Sequence, residues 1–183
     1  NVSDIGGALY SQYGESELIN LDVRGNTATG FGGGMYMRDD HSTLAGTLVS
    51  GNYSPRVGGI YIESSDLTLV NLTISGNKSD LNTGGIFFAG EASESVTLYN
   101  SIVCGNTGGS AEDYYGDVRF QHSINAASSY GSCLDLENNI VEPADLFVDP
   151  LNADLAPSTA GDYRLVDLSP ADSNAFSIES IAD

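Results

Sequence analysis

The chain runs to 183 residues and carries 25 acidic against six basic side chains, a net charge of −19. That balance excludes partners gripped through phosphates, so neither nucleic acid nor an anionic membrane surface is expected. No stretch approaches the roughly 20 apolar residues of a membrane-spanning helix, so no membrane insertion is expected, and the acidity suits a soluble, salty extracellular setting.

The first element in chain order is Gly6-Gly7-Ala8-Leu9-Tyr10, and it returns three times. The later copies are Gly33-Gly34-Met35-Tyr36-Met37, Gly58-Gly59-Ile60-Tyr61-Ile62 and Gly84-Gly85-Ile86-Phe87-Phe88. A Gly-Asn pair closes each unit, at Gly25-Asn26, Gly51-Asn52, Gly76-Asn77 and Gly105-Asn106. The second glycines are spaced 27, 25 and 26 residues apart, and the Gly-Asn pairs 26, 25 and 29. Two markers holding one period over four copies mean an array of stacked units.

Within the copy from Gly58 to Thr83, apolar residues alternate in short runs: Ile60 and Ile62, Leu67 and Leu69, Leu72 and Ile74. Period two broken by Gly, Asn, Ser and Asp reads as short strands. Three of them in one unit leave room for turns but not for a crossover helix. The fold predicted is all-β: a right-handed parallel β-helix with three short strands per coil, about four to five coils, and an irregular C-terminal cap. Aligned on the Gly-Asn pairs, Leu18, Leu44, Leu69 and Leu98 form one inward column and Val23, Val49, Ile74 and Val103 another. Arg24, Ser50, Ser75 and Cys104 form a column expected to face outward.

Asn26, Asn52, Asn77 and Asn106 are read as a structural turn column, their amides bonding to the copies above and below. A second column holds Asn20, Asn71 and Asn100, with Gly46 at the missing place. Asn52, Asn71 and Asn77 also begin N-x-S/T sequons, for which the turn role is preferred over glycosylation.

Clear repeats end at residue 106, and a looser rhythm carries the coils to about 130. From 131 to 183 the chain is acidic and loop-like, read as a cap packed on the coil. Cys104 and Cys133 are too few for a zinc site and lack redox spacing. A disulfide pinning cap to coil is the pairing expected, with two unpaired thiols as the alternative. The run Gly-Gly-Ile-Tyr-Ile…Leu-Thr-Leu-Val-Asn-Leu-Thr-Ile-Ser-Gly-Asn resembles the right-handed β-helix repeats of large secreted and surface-anchored bacterial proteins. The tail, with Leu146-Phe147-Val148-Asp149-Pro150 and Gly161-Asp162-Tyr163-Arg164-Leu165, resembles the segment after the last coil in such proteins, including those with a "choice-of-anchor" C-terminus. The resemblance is specific for fold and carries little about function, because lyases, hydrolases, adhesins and inert stalks share this coil.

Three features offer chemistry. The turn after each first strand carries acids, Glu15 and Glu17, Asp39 and Asp40, Glu63 and Asp66, Glu91 and Glu94. At the ~4.8 Å spacing of stacked strands such a column would repel itself, and bound Ca²⁺ would relieve it; the alternative is a solvated edge with no ion. No other cofactor is expected. Leu9, Tyr36, Tyr61 and Phe87 fall in a second column, so Tyr36, Tyr61 and Phe87 are expected to face outward as a strip suited to sugar rings or a partner, unless the tail covers them.

Catalysis is not expected. Asp39-Asp40-His41 is the one compact acid group, Arg24, Arg38 and Arg56 belong to no lyase motif, and His41 and His122 stand isolated. The function expected is a non-catalytic structural or adhesive module of a bacterial surface or secreted protein. Only five residues precede the first Gly-Gly, too few to shield an open end. Its partner is therefore either the rest of a longer surface protein or another copy of itself. The alternatives are a filament subunit assembling by coil stacking and a carbohydrate-active lyase or hydrolase.

Overall fold

The computed structural model describes residues 1–91, 94–126, 133–134, 140–141 and 146–165. Four parallel sheets run along a solenoid, each made of equivalent strands from successive coils. Sheet 1 holds Val2–Ile5, Thr27–Phe31, Tyr53–Ser54 and Lys78–Ser79. Sheet 2 holds Leu9–Gln12, Met35–Arg38, Ile60–Glu63, Ile86–Ala89 and Tyr114–Tyr115. Sheet 3 holds Glu17–Ile19, Thr43–Ala45, Thr68–Val70, Val96–Tyr99 and Val118–Gln121. Sheet 4 holds Asp22–Arg24, Leu48–Ser50, Thr73–Ser75, Ile102–Val103 and Ile124–Ala126, then continues antiparallel into Cys133–Leu134 and Ile140–Val141.

The predicted inward columns form the core. Leu44, Leu69 and Leu98 stack in register, as do Val49, Ile74 and Val103, and every one is fully buried. Met35, Ile60 and Ile86 form a third column on sheet 2, with Met37, Ile62 and Phe88 beside it. Each such side chain contributes roughly 1.5–3 kcal/mol through its removal from water. A fourth inward column alternates Leu21, Thr47, Leu72 and Ser101. Where it is polar, its hydroxyl accepts from the neighbouring coil, as Thr47 does from Leu21 N and Ser101 from Leu72 N.

The sequence predicts three strands per coil, and the structure adds sheet 1 as a fourth. Its inward residues are Ala28, Ser54 and Ser79, all buried but too small to leave a hydrophobic trace in the sequence. Their hydroxyls are satisfied across coils, Ser54 Oγ donating to Gly30 O and Ser79 Oγ to Arg56 O.

The two asparagine columns do different work. Asn20, Asn71 and Asn100 adopt left-handed backbone at the corner between sheets 3 and 4, with Gly46 and His122 in the same conformation. In the Gly-Asn pairs, by contrast, Gly25, Gly51, Gly76 and Gly105 take the positive φ. That frees Asn26, Asn52, Asn77 and Asn106 to form a buried ladder. Asn26 Nδ2 donates to Asn52 Oδ1 at 3.0 Å, Asn52 Nδ2 to Asn77 Oδ1 at 2.9 Å, and Asn77 Nδ2 to Asn106 Oδ1 at 2.8 Å.

The described part of the C-terminal segment lies along the flank of sheet 4. Phe147–Asp149 pairs antiparallel with Asp162–Leu165, and Leu146 and Phe147 pack on Cys104 and Ile124. Ser158 N donates to Gly51 O at 2.8 Å, Arg24 Nη1 to Gly161 O at 3.2 Å, and Lys78 Nζ pairs with Asp154 at 3.0 Å. Thus Ser50, Ser75 and Cys104 point out of the coil as expected and are nevertheless buried, because this strap covers them.

Candidate functional site

On sheet 2 the alternation that turns Met35 and Met37 inward turns Tyr36 outward, and register places Tyr61 and Phe87 beside it. The predicted strip therefore exists and is longer than expected. Tyr10 stands 5.5 Å from Tyr36, ring centre to ring centre; Tyr36–Tyr61 is 4.9 Å, Tyr61–Phe87 5.4 Å and Phe87–Tyr115 4.9 Å. Leu9 is not part of it. Gly6 N donates to Phe31 O and Gly7 N to Gly32 O, so Gly6-Gly7 aligns with Gly32-Gly33, Leu9 pairs with Met35, and Tyr10 takes the place beside Tyr36. Phe31 packs on Tyr61 at 4.7 Å, with the Arg56 guanidinium 4.7 Å above its ring.

The three pairs from Tyr36 to Tyr115 lie within 22° of parallel, so each ring covers its neighbour's face. Such pairs contribute about 0.5–1.5 kcal/mol each beyond burial. The ladder consequently shows solvent its edges, and open ring faces remain at its two ends. Tyr36 is 8 % exposed, whereas Tyr10 is 45 % and Tyr115 55 %.

The predicted acids do not form one column. Asp40 turns inward and is buried, accepting from Ser11 Oγ, from Gly14 N at 3.2 Å and from Ser42 N at 2.8 Å. Burial pushes its carboxyl up, but the bonds from Ser11, Ser42 and Gly14 outweigh that and hold it below the usual range. Glu63 accepts from the Tyr36 hydroxyl and lies 3.7 Å from Arg38, which also stands 3.4 Å from Asp39. Burial first, then the bond to Glu63, raises the Tyr36 phenol. Glu15, Glu17 and Asp66 point into solvent. Among the described residues no three His, Cys, Asp or Glu side chains come close enough to hold a metal ion. The first three turns after sheet 2 are equal in length, but their acids stand at different levels: Glu63 pairs with Arg38 at the strand end, Asp40 stands level with Gly14 and Ser65, and Glu15 level with His41 and Asp66.

Three predicted residues do come together. Phe87, Glu91 and Glu94 line a cleft of about 370 Å³ at the last coil, joined by Tyr115, Gly116 and Asp117. The Glu94 carboxylate accepts from Glu91 N at 3.0 Å, which fixes the rim, and Asp117 pairs with Arg119 at 3.0 Å. The exposed face of Tyr115 closes the ladder at this cleft. A second groove of about 600 Å³ separates the strap from sheet 4 and is lined by Arg24, Tyr163, Asp162 and Arg164. Its arginines are matched by Asp22 and Asp162, and Arg164 holds Asp162 down at about 2.

Two sequons are closed by the fold: Asn52 and Asn77 are fully buried with their amides in the ladder. Asn71 is half-buried and accepts from Asn100 Nδ2 at 2.9 Å. Cys104 is disulfide-bonded, while the side chain of Cys133 lies outside the described residues. Sequence reasoning missed Tyr10, Phe31, Tyr115 and Asp117, of which Tyr10 was recoverable by aligning Gly6-Gly7 with Gly32-Gly33 in the run Gly32-Gly33-Gly34, a step of 26 residues.

A family description, the right handed beta helix region, matches residues 3–141. The chain belongs to the right-handed β-helix family. No curated protein and no solved structure matches it. Membership in the β-helix family accounts for the coil and its ladders, and it leaves the chemistry of the aromatic cleft to be argued from the residues themselves.

Proposed function

We propose that this β-helix is a non-catalytic structural and adhesive module of a secreted or surface-exposed bacterial protein. The observation that carries the reading is how the repeat's polar and aromatic side chains are used. The asparagines bond to asparagines, the rings stack on rings, and Asp40 and Glu63 bond to neighbouring coils. Groups committed in this way build a stiff rod and are poorly placed to move protons or attack a substrate. What the rod offers to other molecules is the open face of Tyr115 beside Glu91, Glu94 and Asp117.

An aromatic face with acids at its rim suits a sugar ring, the apolar side of the ring lying on Tyr115 and its hydroxyls donating to the carboxylates. Titration calorimetry with neutral and acidic oligosaccharides tests this. Binding that weakens at least tenfold in Tyr115→Ala, with the melting temperature little changed, supports an adhesive site. Depolymerisation of an acidic polysaccharide, abolished by substitution at Asp39 or Asp40, would make the protein an enzyme and overturn the reading. Filament assembly is the second reading, and it draws on the way successive coils already pair strand to strand along all four sheets, a mode that a second copy could extend. Electron microscopy across a concentration series separates the two: fibres support the filament, dispersed rods the module.

A further inference from the structure

The asparagine ladder ends on a residue of a different kind. Asn106 Nδ2 donates to Asp113 Oδ1 at 2.7 Å, and Asn106 N donates to the same oxygen at 2.9 Å. These reproduce the two bonds that Asn52 makes to Asn77 Oδ1 and that Asn77 makes to Asn106 Oδ1. Asp113 Oδ1 thus stands where the next amide oxygen would stand.

Asp113 reaches this place from an unexpected backbone position. Ile86 N donates to Asp113 O as Ile60 N donates to Gly85 O and Met35 N to Gly59 O. Asp113 is therefore the fifth member of the column Ala8, Gly34, Gly59 and Gly85. At Gly34, Gly59 and Gly85 a Cβ would press on the next coil's carbonyl oxygen and on a ladder asparagine amide. Asp113 is 2 % exposed, and its Oδ2 is buried with no hydrogen-bond partner. In the three members before it the corresponding atom is an Nδ2 donating to a carbonyl of the preceding coil: Asn52 to Val23 O, Asn77 to Val49 O and Asn106 to Ile74 O. That series continues to Val103.

We propose that Asp113 closes the ladder as a neutral acid, its Oδ2 carrying a proton in place of an amide hydrogen, so that the last coil is locked by protonation and loosened by its loss. A carboxylate in this position would bring an uncompensated charge into a buried site. Burial first, with a smaller push from the neighbouring Glu112 charge, raises the group to about 7 against the two bonds from Asn106. The elements around it present no compensating cation among the described residues. The Gly84-Gly85 pair and Ile86 offer backbone, Asn106 an amide, Thr107 to Ala111 no titratable side chain, Tyr114 a ring packed toward the core, and Cys104 is disulfide-bonded.

The sign follows from linkage. The folded chain holds this proton more tightly than the unfolded chain, so the contribution of Asp113 to stability falls as pH rises from the ordinary carboxylate value of 3.8 to about 7, and is then constant. Asp113→Asn replaces the proton with a permanent amide and removes that dependence.

The test is a carbon-NMR titration of the wild-type Asp113 carboxyl, assigned through its own backbone, together with melting curves of wild type and D113N. The expected carboxyl midpoint lies near 7. D113N should melt several degrees above wild type at about pH 9, with the gap closing toward about pH 4. Amide protection over 113–126, corrected for the intrinsic rise of exchange with pH, should fall above neutrality in wild type alone. A midpoint in the ordinary carboxylate range overturns the proposal, and so do melting curves that stay parallel across the range. The titration decides the matter even if D113N does not fold, and neither measurement depends on whether the aromatic cleft binds a ligand.

Discussion

Asn77 sits at the middle of the ladder with every polar atom of its amide engaged. Its Oδ1 accepts from Asn52 N and Nδ2, while its Nδ2 donates to Asn106 Oδ1 and Val49 O. Asn77→Ala strands two donors of Asn52 where water does not reach, and each unsatisfied buried group costs about 1–3 kcal/mol. The expected loss is about 3 kcal/mol or more by denaturant unfolding. Asn26 stands at the ladder's other end with fewer partners, so Asn26→Ala should lose less. Equal losses at the two sites would mean that the ladder contributes through turn shape and not through its bonds.

At the scale of the element, the Gly-Gly signal and the aromatic ladder share one cause, the close approach of successive coils. A Cβ on Gly59 would collide with the Gly85 carbonyl oxygen and crowd the Asn77 amide. Gly59→Ala is expected to cost about 1–3 kcal/mol as an overpacked site, read as a lowered denaturation midpoint with an unchanged m-value. The glycine and apolar columns were legible in the sequence because they hold one period and a large side-chain contrast. Sheet 1 was not, since Ala28, Ser54 and Ser79 bury no large apolar group. The aromatic strip was legible from Tyr36 to Phe87, but its first ring is Tyr10 and not Leu9, because Gly6-Gly7 aligns with Gly32-Gly33 and not with Gly33-Gly34. The acidic column failed for a related reason. The acids cluster in the sequence without holding one register position, so Asp40, level with Gly14, turns inward while Glu63, at the end of its strand beside Arg38, meets Tyr36. Glu91 and Glu94 did meet a predicted aromatic, Phe87, in one cleft.

For the whole molecule, stacked repeats ordinarily touch nearest neighbours alone and can open from an end, one coil at a time. The strap changes that. It touches Gly25 through Ser158 and Thr159, Gly51 through Ser158, Gly76 through Leu151 and Tyr163, and Cys104 and Ile124 through Leu146 and Phe147. Phe147→Ala should cost about 3–5 kcal/mol, as for other buried aromatics, and should raise amide exchange along sheet 4 in every coil. A rise confined to the strands next to Cys104 and Ile124 would show that the strap is a local patch and not a tie across the stack.

The position of that strap along the chain has a consequence for how the molecule is made. Residues that cover Gly25 and Gly51 are 158 and 159, so more than a hundred residues must be synthesised between the first coil and its cover. Leu48, Ser50 and Ser75 wait, uncovered, while the later coils emerge and stack. Early coils can acquire their internal ladders as they appear, yet their outer flank is finished last and all at once. A chain interrupted before Leu146 would leave this flank open along its whole length, which makes completion of the tail the step that separates a stacked intermediate from the finished rod.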